Sequence, residues 1–302
     1  MTRMPKTALA VLAGLVLVAA GACTSGGSGA TGRPGSSVGG PAANQNDPNS
    51  IISSVISGGS DIKSFHIKIA VSGTIKKEAL QAAAAGTGGA AGLPITSDVK
   101  LDGTSLEGDV DVANAAAHLA LKVPGLPMLG GTPITGDLIM ADKVLYYKVS
   151  LLGAKYAKQD LGQLTSSLPV SIPSILPSPG ASAMTGVTDE IAQLRQQMQA
   201  AGVTATLVGV DQIGGQDANH INISIPIDKL NAEIAAQASA GPAMKIDSAS
   251  VDFWVYKADN RLAQVELKGA SASLGNLDLM VTVTNYDQPV TIAAPAAADV
   301  AP

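Results

Sequence analysis

The chain has 302 residues, of which 46% are hydrophobic, 14% charged and 3% aromatic, with 33 glycines, 17 prolines and one cysteine. So large an apolar share with so little charge excludes a globally disordered chain, and a formal net charge of −5 excludes the basic footprint that nucleic acid requires. One Trp, five Tyr and two Phe also supply few platforms for stacked bases or sugars.

Residues 1–22 read as an address rather than as fold. Arg3 and Lys6 make a short positive end, followed by an apolar run from Ala8 to Ala20. That run is shorter than the roughly 20 residues of a membrane span but suits a secretory signal. Behind it stands Ala20-Gly21-Ala22-Cys23, which resembles a bacterial lipobox. The resemblance implies acylation of Cys23, palmitate being the expected class of chain, and a protein anchored on the outer face of the cell membrane, in part reaching the cell wall or the medium. A single thiol forms no intramolecular disulfide, so the fold must rest on its core. Residues 23–47 are a Gly/Ser/Pro tether. Its Gly27-Ser28-Gly29-Ala30-Thr31-Gly32 matches a dinucleotide fingerprint only as spelling, since neither strand nor helix flanks it.

Residues 48–302 read as one domain. Asp47-Pro48 opens a short helix ending near Gly58. Phe65, Ile67, Ile69 and Val71 alternate with His66, Lys68, Ala70 and Ser72, the period of a half-buried strand. Residues 81–97 suggest a soft Ala/Gly loop. Strands are expected near 98–103, 105–113 and 115–123. A hairpin follows, Ile134–Met140 and Val144–Val149 around Asp142-Lys143. The prolines of 168–181 exclude helix interior and central strand, and Thr188 caps a helix that runs to Gly202. Val203–Ile213 and His220–Ile225 flank Gly214-Gly215, a second helix is capped at Asp228, and three strands close the chain at 248–257, 261–269 and 276–286.

About ten strands in hairpin order with three or four helices indicate an α+β fold, an antiparallel sheet with helices over one side. A sheet this wide curls, which puts the helices over a concave face. Its inner face is expected to carry Ile67, Ile69, Val71, Val265, Leu267, Leu279, Val281 and Val283, the candidate ligand-binding residues. Small residues between them leave either a thin core or a hollow.

Ile62-Lys63-Ser64-Phe65-His66-Ile67-Lys68-Ile69 with Val71-Ser72-Gly73 resembles the first strand of the LppX/LprA/LprF/LprG family of actinobacterial lipid-binding lipoproteins. Asp137–Tyr146 is similar to that family's central hairpin, and Val251–Val255 with Arg261–Val265 to its late one. Asn285–Ile292 resembles its closing strand. The resemblance implies a half-barrel sheet whose helices enclose a large apolar cavity for multi-acyl lipids. Its implied partners are an acylated lipid or glycolipid, the membrane through lipidated Cys23, and an envelope lipid transporter. Loops 81–97 and 168–181 depart from the family as insertions, and Leu168–Leu176 are expected at the cavity mouth, touching acyl chains or the membrane, or else packed on the side of the domain as a connector.

Catalytic groups are sparse. His66, His118 and His220 fall in separate strands, and no G-x-S-x-G elbow accompanies them. Glu107, Asp109 and Asp111 share one strand face but stand about 7 Å apart along it, too spread for one cation. Asn222-Ile223-Ser224 is a glycosylation sequon inside a strand. No enzyme activity, metal or cofactor is therefore expected. The expected function is binding acylated lipids or glycolipids in an apolar cavity and carrying them within or across the envelope. The alternative is a structural or host-interacting surface lipoprotein with a filled core, and an esterase comes third.

Overall fold

The computed structural model describes residues 46–58, 62–87, 95–125, 131–161, 202–237 and 245–301. The signal segment, Cys23, most of the tether, loop 168–181 and the helix expected over 188–202 lie outside these residues.

Helix α1 (Pro48–Gly58) starts as the sequence requires. The Asp47 carboxylate accepts the Asn49 N–H at 3.1 Å, and its carbonyl accepts the Ile51 N–H at 3.1 Å. Strand β1 (Ser64–Ile75) follows, then α2 (Lys77–Thr87) and a two-residue β2 (Val99–Lys100). Next come β3 (Thr104–Asp111), β4 (Ala116–Val123), β5 (Ile134–Ala141), β6 (Val144–Val149) and β7 (Ala157–Asp160). The second half holds β8 (Thr204–Ile213), β9 (Gln216–Ser224), α3 (Ile227–Gln237), β10 (Ser248–Tyr256), β11 (Leu262–Ser271) and β12 (Gly275–Thr284).

Three expectations need correction, and one strand is new. The loop at 81–97 is in its first part helix α2, because the alanine run favours helix and Asp98 accepts the Lys77 N–H at 3.0 Å. Asp228 lies within the first turn of α3 rather than capping it, since the Pro226 carbonyl already accepts the Leu230 N–H at 3.1 Å. Asn285–Ile292 is not a strand, because Asn285 and Asp287 turn the chain with φ of 54° and 59°. Strand β7 was not expected; four residues are too short to show a period.

The described strands form one antiparallel sheet of order β7-β6-β5-β4-β3-β1-β12-β11-β10-β9-β8, with β2 beside β1. Two meanders thus meet where the first strand pairs with the last, from His66 opposite Thr284 to Ile75 opposite Gly275. Tight turns close one end of the sheet. Asp142 and Lys143 (φ 54° and 64°) join β5 to β6, and Gly214 and Gly215 (φ 59° and 81°) join β8 to β9. Paired left-handed residues are what a two-residue hairpin demands. The longer connections, with α2 and α3, lie at the opposite end. Together the sheet and helices make an α+β fold.

Candidate functional site: the apolar face of the sheet

Strand register sorts the side chains onto two faces of opposite character. Starting at Ile69 and moving one way, the directly opposed residues are Leu106, Leu121, Gly136 and Val149. Moving the other way they are Val281, Val265, Phe253, Ile221 and Leu207. One row thus crosses ten strands without a polar side chain. The next row repeats the pattern, with Ile67 between Gly108 and Val283 and with Leu119, Leu138 and Tyr147 beyond Gly108. Gly108 has a steric reason: a Cβ there would sit 1.9 Å from the His118 carbonyl oxygen.

All eight candidate ligand residues stand on this face in β1, β11 and β12. Ile67, Ile69 and Val71 oppose Val283, Val281 and Leu279, and Val265 and Leu267 oppose Val281 and Leu279. They are not equally covered. Val265, Leu267, Val281 and Val283 are buried in one cluster with Ile62, Phe65, Ile223, Val251 and Leu262, whereas Ile67, Ile69 and Leu279 pack half-buried at its border. Helix α1 covers the β8–β10 end of the face, with Ile51 fully buried against Ile221 and Val255.

Beyond β1 the face continues through Leu106, Leu119, Leu121, Leu138, Met140, Leu145 and Tyr147, all half-buried. Among the described residues no helix packs on this part. The sequence signal was present as hairpin alternation in 105–149, but alternation in separate hairpins does not reveal that the faces join.

The opposite face is polar and carries all three histidines, each on a carboxylate. His66 Nδ1 lies 2.8 Å from Asp109 Oδ1, and Lys68 reaches Glu107 at 3.2 Å. The hydrogen bond from Lys68, together with its charge and a lesser contribution from His66, holds the Glu107 carboxyl below its ordinary pKa against the cost of desolvation. Asp111 instead accepts the Asn114 N–H at 3.0 Å, so the three acids of β3 serve three local contacts. His118 Nε2 lies 2.7 Å from Asp137 Oδ1. His220 sits between Asp211 (3.1 Å) and Asp252 (3.0 Å) and stacks on Trp254 with ring centres 4.4 Å apart, while Asn222 Nδ2 donates to Asp252 at 2.8 Å. These pairs stand on separate parts of the sheet, with no serine or cysteine nucleophile hydrogen-bonded to any of the rings among the described residues.

Residues 285–301 then cross the polar face as a strap. At its start Lys63 N–H donates to Asp287 at 2.8 Å and Arg261 pairs with the same carboxylate at 2.6 Å. At its end Tyr156 N–H donates to the Asp299 carbonyl at 2.8 Å and Ala301 N–H to the Tyr156 carbonyl at 2.7 Å. Ile292 and Val300 pack on Ile139, Ala141 and Tyr146. A groove of about 740 Å³ at the other end of β1 is lined by Lys76, Lys77, Glu78, Asp98 and Ser273 and is distinct from the apolar face.

No protein-family model matches the chain, nor does any curated protein sequence. Among solved structures it is similar to the lipoprotein LppX of Mycobacterium tuberculosis, with 15% identity over 80% of this chain and 96% of that one and a TM-score of 0.41. LprF of Mycobacterium bovis gives 16% identity over 82% and 95% of the two chains, also at 0.41. A LolA superfamily protein of Nitrosomonas europaea gives 10% identity over 80% and 94%, at 0.26. The first two are proteins of the family that the sequence resembles.

Proposed function

We propose that this chain is an envelope lipoprotein that holds the acyl chains of a lipid or glycolipid against the apolar face of its sheet and carries them within or across the envelope. The observation that supports the reading is the unbroken apolar row from Val149 through Ile69 to Leu207. Helix α1 is the described helix packed on it, at one end only. The acyl chains are assigned to the β3–β6 part, where Leu106, Leu119, Leu121 and Leu138 share the face with Gly108 and Gly136. Leu279, Ile69 and Val71 border that part, and the buried Val265 and Val281 support it from within the core. Each methylene withdrawn from water contributes about 0.8 kcal/mol, so ordinary acyl chains need no charged partner to be retained.

Acylated Cys23 is the proposed anchor, which would place the domain on the outer side of the membrane. The chemistry proposed is binding and release, without a covalent step. Native mass spectrometry of protein extracted under mild conditions tests the reading. Co-purified lipid is expected on the natural protein, with its occupancy sharply reduced in Leu119→Asp and Leu138→Asp. Lipid-free natural protein, or unchanged occupancy in both folded variants, overturns it.

A further inference from the structure

Two leucines at the end of the apolar row are turned out to water. Leu151 is 54% exposed and Leu152 75% exposed, in the loop between β6 and β7, although Val149 of the strand leading to them belongs to the apolar row. Their outward position is fixed by backbone bonds. Leu152 N–H donates to the Val149 carbonyl at 2.8 Å, Ser150 N–H to the Thr135 carbonyl at 2.8 Å, and Thr135 N–H to Ser150 Oγ at 3.1 Å. Gly153 leaves the turn at φ 134°, a conformation closed to side-chain-bearing residues. Such a loop cannot fold its leucines back onto the sheet without losing these bonds. Lys155 stands in the same loop, and Lys122 and Lys148 lie at the same end of β4 and β6. Asp137, opposite Lys148 on β5, is engaged by His118 and Tyr156, and Lys148 Nζ lies 4.5 Å from the centre of the Tyr156 ring.

We propose that Leu151 and Leu152 form a tip that inserts into an anionic bilayer, with the three lysines against its headgroups. Leu151 lies two residues beyond Val149, the last residue of the apolar row, so an acyl chain leaving the bilayer at the tip meets apolar surface at once. This use of the tip as a port rests on the lipid-holding reading; the insertion itself does not. Chain length permits the approach. The 22 residues between Cys23 and Asn46 span at most about 80 Å, whereas eleven strands measure about 48 Å across.

The test uses residues 23–302 carrying Cys23→Ala, so that neither an acyl anchor nor the apolar run from Ala8 to Ala20 contributes, with vesicles of phosphatidylcholine and phosphatidylglycerol bearing brominated acyl chains. Trp254 is the single tryptophan of the natural sequence and is buried on the opposite face, hydrogen-bonded to Asp211. Its emission is expected to stay unquenched, while Leu152→Trp adds emission that shifts to the blue and is quenched by the bromines. Leu151→Ser/Leu152→Ser is expected to lower vesicle binding by roughly tenfold or more. Unquenched Leu152→Trp, or undiminished binding of the double variant, overturns the proposal. So does a shift of the double variant to a smaller species on gel filtration without vesicles, which would give the leucines to a second copy of the chain. Native mass spectrometry separates the two readings. A double variant that keeps its lipid but exchanges it slowly with vesicles fits a port, whereas natural protein without lipid removes the carrier reading and leaves quenching to decide the tip alone.

Discussion

Ile69 on the first strand stands directly opposite Val281 on the last, and Val281 in turn faces Val265 on β11. This contact joins the two halves of the sheet. Among the described residues the two meanders pair only through β1 and β12, so the residues at the seam hold both halves in one apolar surface.

Position along the seam separates two substitutions of the same kind. Val281 is 8% exposed and packed on all sides; Val281→Trp overpacks it and is expected to cost about 1–3 kcal/mol. Leu279 is half-buried at the border. Leu279→Trp is expected to change stability by less than Val281→Trp and to lower lipid occupancy. Urea denaturation together with native mass spectrometry checks the pair.

Asp287 pins the strap to the seam. Burial works against its charge, but the Lys63 N–H and the Arg261 guanidinium outweigh that cost and hold the carboxyl below the ordinary carboxylate range. A carboxyl depressed on folding stabilises above its unfolded pKa, and the contribution fades as pH falls through the folded value. Asp287→Asn is therefore expected to be less stable than the natural protein near neutrality and to lose less on acidification from about pH 6 to about pH 3. Urea midpoints along that series decide it; parallel curves would refute the assignment.

Tyr156 behaves in the opposite direction. Its hydroxyl donates to Asp137, and that bond, with burial and the carboxylate's charge, pushes its pKa up to about 12. A raised value means that the neutral phenol is the form the fold favours. The stabilisation is whole below the ordinary value of 10.0 and is lost as pH rises toward about 12. Difference absorbance of phenolate should show a tyrosine ionising near pH 12 that Tyr156→Phe removes. Tyr156→Phe should flatten the fall of stability over that alkaline window and leave the backbone bonds of residue 156 to Asp299 and Ala301 in place.

Cys23→Ala is expected to abolish acylation and release a folded chain from the membrane, because the apolar clusters of the described domain begin at Ile51. Fractionation of cells labelled with a radioactive fatty acid measures both effects. A variant that stays wholly membrane-bound would sink the anchor.

Local chemistry carried much of this protein into view. Alternation in 65–71 put Ile67, Ile69 and Val71 on one face because side chains in a strand point to opposite sides with a period of two. Asp142-Lys143 and Gly214-Gly215 announced hairpins because left-handed turns need such residues, and Asp47-Pro48 announced a helix start. The sequence alone could not say that β1 and β12 are neighbours, since pairing across some 200 residues leaves no periodic trace. Nor could it show that separate hairpins join their apolar faces into one row, or that Val265 and Val281 lie inside a packed cluster while Leu279 stands at its border. Those are properties of register and burial. Leu151 and Leu152 make the same point from the surface: two adjacent leucines carry no mark of exposure in the sequence, and the backbone bonds of the β6–β7 turn, formed in three dimensions, hold them out in water.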